Sequence, residues 1–524
     1  MYNIIRDGYN FPNLYSTKKG EVIIMKKIIS LILVIAATLS VLALISCVED
    51  IEGMEGTKET DVTEATTTPM PPLHLGEYPT CGSSNKPDFQ GHTVTFAVCD
   101  PESEDTTLSK LSCLADEKTG DAIVDAIYER NQLIKEALNV NIEISVYSFG
   151  GPLIKNVIPS LLANANDFDV VWGAQVNELP LSLEGFMLDL SDPEQIGSYI
   201  NYENEWWDSD YIESINYQDH IHWLSGPISL SYLGGAACVL VNQRLYNESL
   251  AANYGNIYDY VLSGKWTLDD MAAMCNAIHR DMDADDRISQ GDVIGSAFSS
   301  SWSIMQLLVG VGMEGSIVNA DGSQTLGINT KNNEYINTVH KTYSTLEACE
   351  GVDHSTAWKD YFISGNQLFR FCSLQTLNSS DLREMADDFY VIPAPKLDSS
   401  QSEYRSAMTD ANHVIGISYT CENVPAASAV LEMMAYHNHR TVSSVFNDEL
   451  VKYIPSGGND IYNMIGVIRD SVYTDFVLAW EKKIFGSHWI RYNGFQKNIK
   501  GLLAKNEGQF TSKFNEIIAK LEAQ

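Results

Sequence analysis

HTVTFAV (residues 92–98) and GDAIVDAIYERNQLIKEALNVNIEISVY (residues 120–147) decide the fold of this 524-residue chain. The first alternates apolar and polar residues, as a half-buried strand does. The second places apolar residues along one helical stripe and then returns to a period of two. A helix-like stretch, PLIKNVIPSLLANA, leads to a short buried strand at residues 168–172. Strand, helix, strand, helix, strand predicts parallel βαβ units, and therefore an α/β lobe.

A second α/β pattern follows from about Gly226. It contains the buried strand ACVLVN, the helix of SGKWTLDDMAAMCNAIHR, the strand-like QLFRF and the later pair FYVIP and HVIGIS. Thr267 as N-cap and Asp270 three residues later predict a capping box at the start of the helix. About 440 residues remain after the leader described next, more than a single core usually reaches, so two lobes are expected.

The leader is MKKIISLILVIAATLSVLALISC, which begins at Met25 and ends at Cys47. Two lysines, an apolar run and a small residue before a cysteine predict a lipoprotein signal peptide at 25–46, with a lipid on Cys47. The alternative is a transmembrane anchor that stays in place. Residues 1–24 are expected to lie upstream of the real translation start. Residues 47–87, rich in Glu, Thr, Gly and Pro, predict a disordered stalk.

Composition restricts the partners of the chain. Its formal net charge is −35, from 69 acidic and 34 basic residues, and such a surface repels nucleic acid and anionic lipid. Nine cysteines are too few for a disulfide scaffold in a chain of this length. Some, such as Cys238 in AACVLV, lie in apolar runs typical of core thiols. One or two disulfides are compatible with the sequence, which leaves their pairing open.

The segment DMDADDRISQGD, which begins at Asp281, has the spacing of a calcium loop. Asp281, Asp283, Asp285 and Asp292 occupy positions 1, 3, 5 and 12, and Arg287 would offer its backbone carbonyl at position 7. Position 6 is an aspartate where glycine usually makes the turn, and position 12 is one methylene shorter than the usual glutamate. One structural Ca²⁺ is one interpretation, and a solvated acidic turn is the other.

Motifs for catalysis are missing from the sequence. It has no G-x-S-x-G elbow, no H-E-x-x-H and no Cys-His zinc spacing. GVGMEG (residues 310–315) matches a dinucleotide fingerprint by letters, but it follows a long helix-like run and leads into a loop, so a glycine turn is expected instead. No cofactor is therefore expected apart from the calcium ion, and the sequence favours binding without catalysis.

Nine tryptophans favour a carbohydrate site. Sugar rings pack their C–H faces on indole, while their hydroxyls bond to Asp, Asn, Gln and Arg. Trp172 is predicted at the carboxyl end of a parallel strand, where α/β ligand crevices form, and Asp100 falls on the same edge. Burial in the core is the alternative for any one tryptophan.

A series of segments resembles the extracellular solute-binding proteins, family 1, of bacterial ABC importers. In chain order the segments include FDVVWGAQ, GFMLDLSD, EWWDSDYIES, HWLSGPISLSYLGGAACVLVNQRLYN, SGKWTLDDM, SGNQLFRF and LREMADDFYVIPAPKLDSSQSEY. The resemblance covers the chain from about Lys86 to its end. It implies a two-lobe, periplasmic-binding-protein-like (type II) α/β fold, in which each lobe has a central, mostly parallel sheet flanked by helices and a hinge joins the lobes.

The same resemblance implies domain boundaries and ligand contacts. Lobe 1 would comprise 88–225 and 406–450, and lobe 2 would comprise 226–405 and 451–524. The implied ligand-binding residues are Asp100, Trp172, Gln175, Trp206, Trp207, Ser229, Trp302, Arg370, Asp410 and Trp489.

The expected function is capture of an extracellular sugar or oligosaccharide by hinge closure, followed by delivery to an ABC permease. The protein would be a monomer, held by its lipid at the outer face of the cytoplasmic membrane, and would not be an enzyme. Two alternatives remain open. One is a carbohydrate sensor or adhesion module at the cell surface, and the other is a secreted carbohydrate-active enzyme.

Overall fold

The structure is a computed structural model, and it describes residues 87–99, 111–147, 153–192, 199–298, 301–354, 361–452, 454 and 458–523. The predicted signal peptide, the lipidation site Cys47 and Asp100 lie outside these residues, as does the predicted stalk except for Pro87. Within the described part of the chain, no helix has the length and apolar character needed to cross a membrane.

The first sheet has four strands in the order β12-β3-β1-β2. Its strands are β1 (His92–Cys99), β2 (Val140–Tyr147), β3 (Val170–Ala174) and β12 (His413–Ile417). Strand β1 pairs in parallel with both β2 and β3, and β12 pairs antiparallel with β3. The parallel βαβ arrangement predicted from residues 92–172 is therefore present.

Helices α1 (Ala122–Leu138) and α2 (Ile154–Leu162) connect these strands. Asp121 caps α1, because its carboxylate accepts the amide hydrogens of Ile123 and Val124. Helix α1 ends at Asn139, whose left-handed backbone lets the chain turn straight into β2. Shorter helical segments follow β3, namely α3 (Gln175–Glu178), a 3₁₀ turn (Leu179–Glu184) and α4 (Ser209–Ile215).

The second sheet has five strands in the order β10-β4-β9-β5-β8. They are β4 (Ala237–Asn242), β5 (Ile294–Ala297), β8 (Val352–Asp353), β9 (Gln367–Ser373) and β10 (Phe389–Ile392). Strand β4 runs antiparallel to β9 and β10, whereas β5 runs parallel to β8 and β9. Four of the five strands therefore point in the same direction, as expected of a mostly parallel sheet, and β4, which enters along a crossing from the first sheet, alone runs against them.

Helices surround this sheet. Their bounds are α5 (Leu230–Gly235), α6 (Gln243–Ser249), α7 (Ala251–Tyr254), α8 (Ile257–Leu262), α9 (Leu268–Ile278), α10 (Ser301–Gly310), α11 (Asn333–Glu347) and α12 (Ser380–Glu384), with a 3₁₀ turn at Leu374–Asn378. Helix α9 begins with the predicted capping box of Thr267 and Asp270. Small two-stranded sheets are formed by β6 (Ser316–Val318) with β7 (Gln324–Leu326), and by β11 (Ser406–Ala407) with β13 (Val472–Tyr473).

Two segments run side by side from one sheet to the other. Leu224 bridges to Ile415 beside the first sheet, and Ala236 bridges to Met408 beside the second. Between these bridges the hydroxyl of Ser225 donates to the carbonyl of His413 at 3.0 Å. We call residues 224–236 and 408–415 the crossing segments. The lobe boundaries implied by the resemblance, at residues 225/226 and 405/406, stay a prediction.

The remaining helices follow β12. They are α13 (Val424–His437), a π-helical turn (Asn438–Val442), α14 (Ser443–Val451), α15 (Gly458–Asp470), α16 (Phe476–Ala479), α17 (Glu481–Phe485), a second π-helical turn (Ile490–Gly494) and α18 (Ile499–Leu521).

The C-terminal helices contact elements attached to both sheets. The indole N–H of Trp480 donates to the carbonyl of Ile215 at 3.0 Å, and Lys520 pairs with Glu184 at 2.9 Å. On the other side, the carboxylate of Glu507 accepts the hydroxyl of Thr330 at 2.6 Å. The last helices thus hold the first-sheet and second-sheet parts together.

Candidate functional site

The candidate site begins at the carboxyl end of β3. Strand β12 starts opposite this end, since His413 pairs with Ala174. The amide of Gln175 donates to the carbonyl of Asn412 at 2.7 Å, and the amide of Val176 donates to the carbonyl of Asp410 at 3.2 Å. The loop before β12 therefore presents Asp410 at the edge of the first sheet where α/β proteins bind ligands.

Side chains from two other elements lie beside Asp410 there. Arg491, in the second π-helical turn, donates from Nη2 to Oδ2 of Asp410 at 2.6 Å. Its guanidinium lies 5.2 Å from the ring centre of Trp302, in the first turn of α10. Helix α10 follows strand β5, so Trp302 also comes from the carboxyl end of a strand. Asp410, Arg491 and Trp302 thus join the carboxyl edges of both sheets.

Two further polar side chains, those of His488 and Glu481, complete this cluster. His488 Nε2 lies 3.5 Å from Oδ2 of Asp410, and His488 Nδ1 lies 3.5 Å from Oε2 of Glu481. Glu481 is 4.0 Å from Arg491 and accepts the amide hydrogen of Ile490 at 2.8 Å. We call Asp410, Arg491, Trp302, His488 and Glu481 the edge cluster.

The edge cluster is partly accessible to solvent. The side chain of Asp410 is 31% exposed and that of His488 is 25% exposed, whereas that of Arg491 is 10% exposed. The Nε of Arg491 is buried without a hydrogen-bond partner. A group that brought an acceptor to this nitrogen would recover the hydrogen bond lost on its burial.

An aromatic pocket lies at the carboxyl edge of the second sheet. Its volume is about 380 Å³, and it is lined by Phe298, Ile304, Tyr343, Glu347, His354 and Phe495. Phe298 follows β5 directly and His354 follows β8. The rings of Tyr343 and Phe495 are 5.4 Å apart. We call this the edge pocket. Two of its lining residues are near edge-cluster residues in the sequence: Ile304 is two residues from Trp302, and Phe495 is four residues from Arg491.

A larger cavity of about 930 Å³ lies beside the crossing segments. Its walls come from residues 205–214, helix α5, helix α14 and residues 469–474. None of these residues follows the carboxyl end of a strand in either main sheet. Size alone would favour this cavity as the ligand site, but position relative to the strands favours the edge cluster and edge pocket.

The structure brings three of the predicted ligand residues to this edge. Trp302 and Asp410 belong to the edge cluster, and Gln175 lies beside Asp410. The side-chain oxygen of Gln175 accepts the hydroxyl of Tyr211 at 2.6 Å, and Gln175 itself is buried. Sequence reasoning missed Arg491, His488 and Glu481 as site residues, although GSHWIRYN contains two of them.

Four predicted tryptophans lie in the core. Trp172 is fully buried in the middle of β3 with its ring 6.0 Å from that of Phe96. The strand continues two residues past Trp172, so the predicted carboxyl-end position falls on Ala174 and Gln175 instead. Trp489 packs against Phe510 with ring centres 5.1 Å apart.

Trp206 and Trp207 are also buried. Their indole N–H groups each donate to the carboxylate of Glu432 at 2.9 Å. Ser229 is buried too, and it caps helix α5 by accepting the amide hydrogen of Ser231. Arg370 lies in β9 with its guanidinium 6.0 Å from the ring of Phe362. None of these four side chains belongs to the edge cluster.

The acidic loop brings three of its carboxylates together. One carboxylate oxygen from each of Asp281, Asp283 and Asp285 lies within 4.8 Å of the other two. Asp292 is not in this group, because its carboxylate is buried and accepts the amide hydrogens of Met282 and Ser289. Asp286 has φ of 57°, so it adopts the left-handed conformation that glycine usually provides at that position.

No family model matches the chain, and no curated protein matches it either. Solved structures do match. UspC of M. tuberculosis is 10% identical and has a TM-score of 0.50, with 80% of this chain and 100% of that chain covered.

Two other matches have slightly lower scores. The galacto-N-biose/lacto-N-biose I-binding protein of a Bifidobacterium longum ABC transporter, in complex with lacto-N-biose, is 12% identical (83% of this chain, 96% of that chain, TM-score 0.49). An ABC substrate-binding protein of Listeria monocytogenes in complex with cycloalternan is 11% identical (82% and 99%, TM-score 0.48). The likeness to UspC shows the fold, and the predicted two-lobe, periplasmic-binding-protein-like (type II) α/β class is confirmed.

Proposed function

We propose that this protein captures an extracellular sugar or oligosaccharide and delivers it to the permease of an ABC importer. The observation that carries the proposal is the edge cluster, in which Asp410 on a crossing segment meets Arg491 from the second π-helical turn and Trp302 from helix α10. The sequence segments that resemble family 1 solute-binding proteins support the same function.

The chemistry of the edge cluster suits a polyhydroxylated ring. The carboxylates of Asp410 and Glu481 accept hydrogen bonds from hydroxyls, and the guanidinium of Arg491 donates to hydroxyl oxygens. The indole of Trp302 offers a flat apolar face for the C–H groups of a sugar. In the edge pocket, Phe298, Tyr343 and Phe495 extend the aromatic surface beyond a single ring.

The proposed mechanism is a shift between open and closed forms. Asp410 belongs to the segment before β12 of the first sheet, and Trp302 belongs to the helix after β5 of the second sheet. A ligand held by both residues contacts the two sheets' elements at once only when these elements are close together. Such a ligand binds the closed form more tightly and therefore increases its population. The paired crossing segments are the natural hinge, because they connect the two sheets and carry Asp410.

The edge cluster supports binding without catalysis. A glycosidase needs two carboxyl groups with separate roles, one as acid and one as base or nucleophile. Here Asp410 and Glu481 both lie within 4.0 Å of the same guanidinium. Lipid attachment at Cys47, tethering to the outer face of the membrane, a monomeric state and the permease partner remain parts of the proposal that rest on the sequence.

The proposal predicts ligand-dependent stabilisation of the purified protein. We expect at least one oligosaccharide of a broad glycan panel to raise the melting temperature, because a ligand that binds only the folded state stabilises it. A panel of glycans, peptides and polyamines without any shift would contradict the proposal. Hydrolysis of a chromogenic glycoside would favour an enzyme instead.

Arg491→Ala tests the edge cluster directly. Loss of the guanidinium removes the positive charge beside Asp410 and Glu481, leaves only His488 between them, and removes the donor offered to hydroxyls. We expect about 10- to 100-fold weaker binding of the glycan identified in the panel, measured by calorimetry. Arg383→Ala, on the exposed short helix α12, is the matched control and is expected to bind normally. Equal affinities of the two variants would exclude the edge cluster as the site.

A further inference from the structure

We infer that Cys238 and Cys372 are joined by a disulfide in the mature protein. Cys238 lies in β4 and Cys372 lies in β9, and the two residues are direct partners in the antiparallel register. Their sulfur atoms are 3.6 Å apart. Both side chains are buried, at 1% and 8% exposure. The sequence predicted an ordinary core thiol for Cys238.

The backbone geometry already fits a disulfide. Directly opposed residues of an antiparallel pair have Cα atoms about 4.5 or 5.5 Å apart, depending on the hydrogen-bonding pattern. Both separations lie within the range of about 4.4–6.8 Å found for disulfides. The two side chains lie on the same face of the sheet with their sulfur atoms 3.6 Å apart, and a change of side-chain rotamer would bring these atoms toward bonding distance.

The backbone around both cysteines is well held. The amide of Leu374 donates to the carbonyl of Ala236 at 3.0 Å. The side-chain amide of Gln306, on α10, donates to the carbonyl of Cys372 at 2.8 Å. These bonds keep the two strand ends in register, so the two cysteines stay opposite each other in the folded sheet.

Oxidation requires an electron acceptor, which we take to be the disulfide of an extracytoplasmic thiol–disulfide oxidoreductase. A thiolate of one cysteine attacks that disulfide and forms a mixed disulfide with the oxidoreductase. The thiolate of the other cysteine then attacks the protein sulfur and releases the oxidoreductase as a dithiol. Two protein thiols are oxidised, and two electrons and two protons leave with the reduced oxidoreductase.

This exchange belongs to the folding stage. In the folded protein both thiols are buried, so an oxidoreductase cannot reach either of them. While β4 and β9 are coming together, both thiols are still accessible. The bond would then close a loop between residues 134 apart in the chain and restrict the unfolded state.

The disulfide would lie at the base of one crossing segment. Cys238 is two residues beyond Ala236, where that segment reaches the second sheet. A covalent link to β9 would make the end of the hinge rigid while the rest of the crossing segment stays free to bend. Cys275 and Cys349 are also neighbours, but the thiol of Cys349 lies 3.1 Å from the side-chain oxygen of Asn276. We therefore confine the inference to Cys238 and Cys372.

The test is a thiol map of the protein isolated from the envelope of the cells that produce it. The protein is acid-quenched, unfolded and alkylated without reductant, then digested for mass spectrometry. We expect a linked peptide pair containing Cys238 and Cys372, and no alkylation at either residue. Cys113, which is buried far from β4 and β9 in sequence, is expected to be alkylated fully in the same sample. Reduction before alkylation should abolish the linked pair.

Complete alkylation of Cys238 and Cys372 without reductant would overturn the inference, and so would a link from either residue to another cysteine. A second measurement compares thermal unfolding with and without reductant. We expect reductant to lower the melting temperature of the native protein by several degrees more than that of the Cys238→Ala, Cys372→Ala double variant. The inference rests on the extracytoplasmic location of the proposed function. Glycan binding is measured without reference to thiols, so failure of one test leaves the other intact.

Discussion

Glu432, in the buried helix α13, is a carboxylate surrounded by hydrogen-bond donors. One oxygen accepts the indole N–H of Trp206 and the side-chain amide of Asn204, both at 2.9 Å. The other accepts the indole N–H of Trp207 at 2.9 Å and the amide of Asn201 at 3.3 Å. Burial raises the pKa of Glu432, and these four donors oppose that effect. A single side chain thus holds the loop at 201–207 against the first-sheet core.

Glu432→Gln should destabilise the protein strongly. The neutral amide has one acceptor oxygen, whereas the carboxylate has two. Its NH₂ group would face N–H donors, which cannot accept a hydrogen bond from it. We expect a loss of about 2–3 kcal/mol in the free energy of unfolding, measured by urea denaturation. Glu422→Gln, on an exposed turn, is the control and should change stability by less than about 0.5 kcal/mol. A native-like unfolding curve for Glu432→Gln would show that the loop is held by other contacts.

The tryptophans show what could not be predicted at the scale of single residues. A tryptophan suits a sugar platform and a core equally well, and its environment decides between them. For Trp206 and Trp207, the deciding partner is Glu432, more than 220 residues away in the chain. Asp410 and Trp302, both implied as ligand residues by the resemblance, lie at the edge, and their role in binding stays a prediction. Arg491 was overlooked because its partner Asp410 is 81 residues away.

At the scale of elements, the acidic loop after α9 has a backbone prepared for clustered carboxylates. Oδ1 of Asp281 accepts the amide of Ala284, and Oδ2 accepts the amide of Asp286. The amide of Asp286 is the largest factor that lowers the pKa of Asp281. Desolvation and the charge of Asp285 raise the pKa of Asp283. The loop therefore gathers charges that repel each other.

Calcium is predicted to relieve this repulsion and stabilise the loop. We expect millimolar Ca²⁺ to raise the melting temperature relative to a chelator, with a smaller effect of Mg²⁺, which prefers smaller and stricter coordination. Asp283→Asn should reduce the calcium effect, while Asp321→Asn, on an exposed turn elsewhere, should leave it unchanged. Identical melting curves with Ca²⁺ and chelator would favour the solvated acidic turn.

Local sequence rules predicted elements better than strand directions. The capping box of α9 and the βαβ order of the first sheet depend on residues within one or two turns of each other. The direction of β4 depends on the route of the crossing segment that precedes it, which no local pattern encodes. That is why the reversed direction of β4, within an otherwise parallel second sheet, was not expected.

At the scale of the whole molecule, two buried histidines couple folding to pH. Burial lowers the pKa of His413 to about 4. Burial and the charges of Arg130 and Arg440 lower the pKa of His437 to about 4. In the unfolded chain the value is about 6.5, so the unfolded state binds more protons between these two values. The stabilisation is complete above pH 6.5 and is lost as the pH falls toward 4.

Each histidine should contribute a slope of up to about 1.4 kcal/mol per pH unit in that window. We expect the free energy of unfolding, measured in urea at pH 7, 6 and 5, to fall by more than about 1.4 kcal/mol between pH 7 and pH 5. His437→Leu should flatten the dependence, because the nitrogen Nε2 of His437 is buried without a partner and the leucine does not titrate. His340→Gln, at an exposed position of α11, should keep the native slope. An unchanged slope for His437→Leu would contradict the assignment.

The whole site could not be predicted from the sequence, because its residues are far apart along the chain. Its parts come from a crossing segment, from the first turn of α10 and from a π-helical turn near the C-terminus. Each part looks ordinary by itself, and only the arrangement of the two sheets brings them together. Fold class, by contrast, follows from repeated local patterns and was predicted.

Trp302 gives the molecule a built-in optical reporter. Of the eight tryptophans that the structure describes, it alone is partly exposed, and the other seven are buried. Its ring lies under the guanidinium of Arg491, so a ligand that moves this cation or displaces water from the indole changes the emission of one fluorophore. Binding of a ligand can then be followed by intrinsic tryptophan fluorescence, without an attached dye.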